Sequence, residues 1–187
     1  SPEAWKKDPE LVLEFYNKRR EQALDAKPNR AHEIIAELEK HFEVQIITQN
    51  IDDLHERAGS TNVVHLHGEI TKARSVGTEK IYTIGNKSIF LNNLCNDGHQ
   101  LRPHIVWFGE DVPNMLIAED IVKTADIFLI IGSSLNVYPA AGLVYQTPDD
   151  CPKYLVDPSV DIETKTINNL TIINEKATIG LAIVASI

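Results

Sequence analysis

Cysteine is nearly absent from this chain: Cys95 and Cys151 are the only two among 187 residues. No disulfide framework can be built from them, and such sparse thiol use fits a reducing compartment, so we expect a cytoplasmic protein. Positive charge is also short. Lys and Arg number 18 against 27 Asp and Glu, a formal net charge of −9. That argues against non-specific binding to nucleic acid or to an anionic membrane, both of which need a basic surface. Missing too are an apolar run of the roughly 20 residues that a membrane-spanning helix needs and the charged and apolar regions of a secretory leader. None of the nine glycines falls in a Gly-x-Gly pair, and there are no internal repeats or low-complexity segments. What remains is a chain with 43% hydrophobic and 24% charged residues, the balance of one globular domain large enough for a core. Its acidic surface tolerates basic, lysine-bearing protein partners, and we expect a monomer.

Ser1-Pro2-Glu3 and Asp8-Pro9-Glu10 each combine a capping side chain, a proline at the first helical position and an acid in the first turn. The second start predicts a helix from Pro9 to about Leu24, and Asn29 caps another through Lys40. The apolar run Val44 to Thr48 predicts a short buried strand. A helix over Asp52 to Arg57 follows, stopped by Gly59. From Lys72 to Gly98 the periodicity fades among Gly77, Gly85 and Gly98, so a small inserted module of short strands and loops is expected. Order returns with a strand from Ile105 to Phe108 and a helix over Met115 to Lys123. Strands Ile127 to Ile131, Lys153 to Val156 and Leu170 to Ile173 come next, then a closing helix from about Ala177. Apolar strands alternating with helices predict an α/β fold: a doubly wound, Rossmann-like parallel sheet with helices on both faces.

Such sheets bind ligands beyond the carboxyl ends of their strands, and three ends carry suitable residues. Gln49, Asn50 and Asp52 follow the first strand. Gly132-Ser133-Ser134 follows Ile131, where a glycine and hydroxyls let phosphate or ribose oxygens approach, although Gly-Ser-Ser is also a common loop. Asp157 follows Val156; an acid there can hold ribose hydroxyls or simply make a turn before Pro158. His65-Leu66-His67 fits an alternating strand or a metal pair, and His55, His99 and His104 fit structural roles. Arg19 lies three residues from Tyr16 on the apolar stripe of Leu11, Val12, Phe15, Tyr16 and Ala23. An arginine on that inward face wants an anion, and its fork suits a carboxylate that the Tyr16 hydroxyl can share. Snorkelling to solvent or pairing with a nearby Glu is the alternative.

Several of these segments coincide with motifs of one family. Thr48-Gln49-Asn50-Ile51-Asp52 with Leu66-His67-Gly68 resembles the TQNID and LHG motifs of the sirtuins, the NAD-dependent protein-lysine deacylases. Gly132 to Ala140 resembles the family's GTSLxVxPA segment, and Leu101 to Glu110 its LRPxVVWFGE strand. The resemblance implies NAD as cofactor, contacted by Gln49, Asn50, Ile51, Asp52, Gly132, Ser133, Ser134, Asp157 and Ala177. Asp52 would accept from the nicotinamide carboxamide; Asp157 stands where the family usually has Asn. His67, with Asn50 beside it, takes the catalytic position, and a proton acceptor working near pH 7 suits histidine. In the implied reaction the acyl-lysine carbonyl oxygen attacks the ribose C1′ as nicotinamide leaves, after which His67 acts as base on a ribose hydroxyl. Val106, Trp107, Phe108, Gly109 and Glu110, with Val137, would take an acylated peptide by strand addition. Tyr16-Asn17-Lys18-Arg19 matches the YxxR motif of the subclass that removes succinyl and malonyl groups.

Two departures qualify the match. The family's paired zinc cysteines are not present, since Arg74 is followed by Ser75 and Cys95 stands alone, and one Cys with His99 cannot close a tetrahedral site. We therefore expect no zinc, and a mobile module (72–98) held by packing alone, bacterial in character. The family's opening strand and GAGxSxxSGIPxFR segment have no counterpart before Trp5. Residues 1–187 are thus expected to form a sirtuin-type catalytic domain, incomplete at its amino end and binding NAD poorly by itself. A silent remnant that binds acylated peptides or a protein partner is the rival expectation, and ADP-ribosyl transfer a third.

Overall fold

The computed structural model describes residues 1–133, 138–159 and 167–186. Helices α1 (Pro2–Lys7), α2 (Pro9–Asp25) and α3 (Arg30–Leu38) open the chain, and each starts where the capping chemistry points. Ser1 accepts from the Ala4 N–H, Asp8 from the Leu11 N–H, and Asn29 from the Ala31 and His32 N–H groups. Strand β1 (Ile46–Thr48) leads through the short helix α4 (Leu54–Ala58) to β2 (Val63–His65). β1 and β2 pair in parallel, with Thr48 opposite His65. Further on, α5 (Met115–Val122) precedes β6 (Phe128–Ile131), a 3-10 helix spans Ala140–Gln146, and β7 (Lys153–Val156), β8 (Leu170–Ile173) and α6 (Ala177–Val184) complete the order. Strands β6, β7 and β8 form a second parallel ladder.

Helices cover both faces of these strands, as the doubly wound pattern requires. Ile46, Leu129 and Ile131 pack with Ala31, Ile34 and Ile35 of α3 and Leu181 of α6. Their neighbours Ile47 and Phe128 point the other way, to Ala118 and Val122 of α5 and to Leu143. This period of two assigns alternate residues to opposite layers, and each fully buried Leu or Ile stabilises the fold by about 1.5–3 kcal/mol. The two parallel ladders are hydrogen-bonded separately, a division that the apolar runs did not reveal.

The inserted unit is an antiparallel sheet in the order β4-β3-β5, made of β3 (Gly68–Ser75), β4 (Ile81–Thr83) and β5 (Leu101–Ile105). It is wider than 72–98, because β3 begins at Gly68 and its partner β5 lies beyond Gly98. Packing of Leu13, Ala73 and Ile89 ties it to α2, yet packing is not its only support. Asp97 accepts hydrogen bonds from the Cys95 thiol, the Thr78 hydroxyl, the Ser75 hydroxyl (3.3 Å) and the His99 N–H (3.2 Å). The Cys95 and Thr78 bonds lead in holding its carboxyl well below the usual carboxylate range.

Two elements depart from the sequence pattern. The strand expected over Ile105 to Phe108 ends at Ile105, and Trp107 to Glu110 form a turn in which the Glu110 N–H donates to the Trp107 carbonyl (3.0 Å). The Glu110 carboxylate also accepts the Trp107 N–H (2.8 Å), which removes that donor from any strand pairing. In α2 the buried residues are Leu13, Asn17 and Arg20, while Leu11 (61%), Phe15 (51%) and Arg19 are exposed. The inward stripe is therefore turned by one residue from the one expected.

Candidate functional site

The segment after β1 is pinned carbonyl by carbonyl. The Thr48 carbonyl accepts the Leu66 N–H (2.9 Å), and the Ile51 carbonyl accepts the Ile70 N–H (2.7 Å). Between them, Gln49 offers its carbonyl to His67 Nδ1 (3.1 Å) and Asn50 its carbonyl to His65 Nδ1 (3.1 Å). The Asn50 N–H donates to the Thr48 hydroxyl, and Asp52 Oδ1 accepts the Leu54 N–H to start α4 (3.0 and 3.1 Å). With its backbone occupied, the segment turns the side chains of Gln49 and Asn50 outward, and neither makes a hydrogen bond to another described residue.

That geometry fixes the chemistry of the two histidines. A carbonyl only accepts, so the His67 proton sits on Nδ1 and the lone pair of Nε2 is available to take a proton. His65 is buried, and its Nε2 faces Glu56 Oε1 at 2.8 Å. Next to His67, Gly68 has φ +81°, and a Cβ there would lie 2.0 Å from the His104 carbonyl oxygen. Only glycine lets β3 and β5 approach this closely beside the histidine.

A cleft of about 200 Å³ opens between α2 and the pinned segment, lined in part by Arg19, Ile51, Asp52 and Ile70. Arg19 makes no ion pair among the described residues; its guanidinium lies 5.4 Å from the Phe15 ring. Tyr16, one turn earlier, packs with Ile51, Ile70, Ile105 and Trp107 and accepts the Trp107 indole N–H (2.8 Å). Burial pushes the Tyr16 hydroxyl above its ordinary pKa, against the opposing Trp107 bond and the charges of Arg102 and Arg19. Arg20, 1% exposed, faces the other way, giving Nε to the Ile70 carbonyl and Nη1 to Asn17 Oδ1 (2.8 Å each). Asn17 in turn exchanges two bonds with the Ile89 backbone (2.9 Å each). These bonds let α2 bury Asn17 and Arg20 beside Leu13, although Arg20 Nη2 has no hydrogen-bond partner among the described residues.

Below the cleft, Arg102 grips both Glu110 oxygens (2.8 and 3.0 Å) and stacks 3.5 Å from the Trp107 ring centroid. Burial would raise Glu110, but the Arg102 bonds, the Trp107 N–H and the charges of Arg102 and Arg74 outweigh it and hold the carboxylate low. Phe108 is 90% exposed, and Val106 gives its N–H to the His67 carbonyl (3.0 Å).

At the ends of β6 and β7, Gly132 and Asp157 stand side by side through the Ile131–Val156 pairing. The Gly132 backbone is open to approach, since a Cβ added there meets nothing within 4 Å. Asp157 is half-buried, and its Oδ1 accepts the Ser159 N–H (2.8 Å), the turn bond of the simpler reading. Ser133 is half-buried beside Gly132, whereas Ser134 and Val137 lie outside the described residues. Ala177 packs its methyl into the α3–α6 core, which leaves only backbone to meet a ligand. Among the described residues no group of three His, Cys, Asp or Glu side chains is arranged to hold a metal ion, and no helix is long and apolar enough to cross a membrane.

Sequence reasoning missed His65 as a pin for Asn50, the Arg102–Glu110 grip, and Arg20. The two arginines sit in visible motifs, but only the fold reveals which groups they reach.

The site can therefore move a proton at His67 Nε2, present amide and carboxylate groups beyond β1, and offer a guanidinium and a phenol to an anion. Comparison with known proteins agrees with that class. The Sir2 family pattern matches residues 1–139. An NAD-dependent protein deacylase of Bacteroides thetaiotaomicron is 48% identical over 187 residues, covering 97% of this chain and 80% of that protein. Among solved structures, a Sir2 homolog–NAD complex superposes with a TM-score of 0.88 at 35% identity, covering 100% of this chain and 74% of the other. Sir2Tm bound to a propionylated peptide gives 0.84 at 32% identity, covering 100% of this chain and 81% of the other. The chain belongs to the Sir2 family, and its α/β architecture is the Rossmann-like fold of the sirtuins.

Proposed function

We propose that this chain is an NAD-dependent protein-lysine deacylase with a preference for dicarboxylic acyl groups, succinyl and malonyl. The bond from His67 Nδ1 to the Gln49 carbonyl carries the first half of the reading, because it leaves Nε2 as a base facing out of the pinned segment. The residues present fit the cofactor. Gln49 and Asn50 hold unpaired amides in reach of a polar ligand, Asp52 keeps one carboxylate oxygen beyond its bond to Leu54, and Gly132 leaves room for close backbone approach. Ser133, Asp157 and the backbone of Ala177 extend that surface across the ends of β6 and β7. Bound there, NAD supplies an electrophilic sugar carbon and nicotinamide as the leaving group. His67 takes a proton from a sugar hydroxyl, and Asn50 orients the groups beside it. Phe108 and Gly109, whose backbone N–H groups bond to no described residue, receive the acylated peptide along the turn after β5.

For the acyl preference, the supporting observation is Arg19 in the cleft with no carboxylate partner among the described residues and the Tyr16 hydroxyl one turn away. A hydrogen bond to a charged group is worth about 1.5–3 kcal/mol, which corresponds to roughly a tenfold to hundredfold preference. The paired test is desuccinylation and deacetylation of one peptide with nicotinamide release followed. Arg19→Met should lower the succinyl-to-acetyl ratio by about tenfold or more, and an unchanged ratio defeats the acyl assignment. Product analysis that finds ADP-ribose on protein and no deacylated lysine defeats the deacylase reading itself. The sparse thiols and the bacterial relatives favour a cytoplasmic site of action.

A further inference from the structure

We propose that Trp107 is a specificity-determining residue: its indole N–H fixes the Tyr16 hydroxyl as a hydrogen-bond donor toward an acidic acyl tail. The inference rests on the dicarboxylic-acyl reading above.

Trp107 is 5% exposed and cannot turn freely. Its backbone N–H is held by Glu110, its ring lies under the Arg102 guanidinium at 3.5 Å, and the Trp5 ring stands 5.9 Å away. Arg102 is itself fixed by two bonds to the Glu110 carboxylate. The indole therefore points in one direction, and its Nε1–H donates to the Tyr16 oxygen at 2.8 Å.

An indole nitrogen only donates, so the phenolic oxygen is the acceptor in this bond and its own proton must point elsewhere. Among the described residues nothing accepts that proton. Burial also opposes loss of it. Arg19 thus lines the cleft with a guanidinium that has no carboxylate partner among the described residues, and the neutral Tyr16 O–H lies one turn before it. A carboxylate, which only accepts, satisfies both donors. An acetyl methyl satisfies neither. Removing the indole N–H frees the hydroxyl to rotate, and water or a backbone carbonyl can then take its proton. Trp107, 91 residues from Tyr16 along the chain, thereby couples the peptide-side turn to the acyl end of the site.

Equilibrium binding tests this directly. Affinities of succinyl-lysine and acetyl-lysine versions of one fluorescent peptide are measured on the full chain and on Trp107→Phe, Tyr16→Phe and the double variant. Tyr16→Phe should reduce the preference for succinyl by about tenfold or more, and Trp107→Phe by about threefold to tenfold, as expected for a charged and a neutral hydrogen bond. On the Tyr16→Phe background, Trp107→Phe should change the ratio by less than about twofold, since both act through one hydroxyl. A merely structural Trp107 weakens both peptides equally and leaves the ratio at its starting value; that outcome, with Tyr16→Phe still effective, overturns this inference alone. Fully additive losses in the double variant overturn it too. An unchanged ratio in Tyr16→Phe overturns the acyl reading beneath it. If Trp107→Phe binds neither peptide, benzothienylalanine at position 107 keeps the ring shape and removes only the N–H, and the same ratio decides.

Discussion

Gly68→Ala is the sharpest test of how the histidine is seated. Two penalties act at this position, and a second glycine separates them. The backbone at Gly68 has φ +81°, a conformation that costs an L-residue roughly 1–2 kcal/mol. The added Cβ would also lie 2.0 Å from the His104 carbonyl oxygen, whereas real Cβ contacts stay beyond 3.0 Å, so β3 and β5 must part by at least the difference, 1.0 Å. Overpacking against backbone adds about 1–3 kcal/mol. Gly98 has nearly the same φ, +80°, but a Cβ there meets nothing within 4 Å. Gly98→Ala should therefore cost only the conformational part, about 1–2 kcal/mol, and Gly68→Ala about 2–5 kcal/mol in all. Urea unfolding with a shared slope reads both, and the midpoint of Gly68→Ala should fall further by about 0.5–2 M. Because the displaced residue adjoins His67, deacylase turnover of the folded variant should drop about a hundredfold, the usual consequence of a 1 Å misplacement, with Gly98→Ala near wild type. Equal midpoints for the two variants would refute the claim that close approach to His104 is what demands glycine.

Stability should decline as pH falls below about 6.5. Burial lowers His32 and His55, whose rings are 4.8 Å apart; the charge of His32 adds to the lowering at His55, while Asp52 opposes it at both and Glu56 at His55. With folded pKa values below the unfolded 6.5, the unfolded chain takes up protons first, so their stabilisation is complete above that pH and is lost toward pH 5; the double variant His32→Gln/His55→Gln should flatten the slope. Asn17→Ala strands the buried Ile89 N–H and Arg20 Nη1, and should cost about 2–4 kcal/mol in urea unfolding. Arg19→Lys keeps the charge but not the fork, and should retain part of the succinyl preference that Arg19→Met loses, read as the ratio of the two deacylation rates.

The parts of the fold that sequence foretold are those set by neighbours in the chain. β7 and β8 fall on Lys153–Val156 and Leu170–Ile173 as expected, and α2 begins at the proline after Asp8. Features set by distant partners were illegible. Asn17 and Arg20 read as polar surface because Ile89 and Ile70, which satisfy them, lie 72 and 50 residues away. Val106-Trp107-Phe108 reads as strand until Glu110 reaches back to the Trp107 N–H. The site divides the same way. Gln49 to Asp52 and His67 are visible as motifs, and Arg19 lines the cleft but is exposed where the apolar stripe predicts an inward residue. His65, which in sequence fits an alternating strand or a metal pair, ends β2 and holds the Asn50 carbonyl.

The four carbonyls from Thr48 to Ile51, each already engaged by β2, β3 or the residues joining them, bear on the thermodynamics of ligand capture. Ordering a residue's backbone costs about 1–2 kcal/mol, and here that cost was met when the chain folded. A ligand arriving beyond β1 meets groups that have little freedom left to lose, so its contact energy goes almost wholly into affinity. Closure around a ligand has to come from other segments, because this one cannot shift without breaking its bonds to both histidines. The His67 ring and the backbone of the segment beside it therefore keep one mutual geometry whether or not a substrate is present.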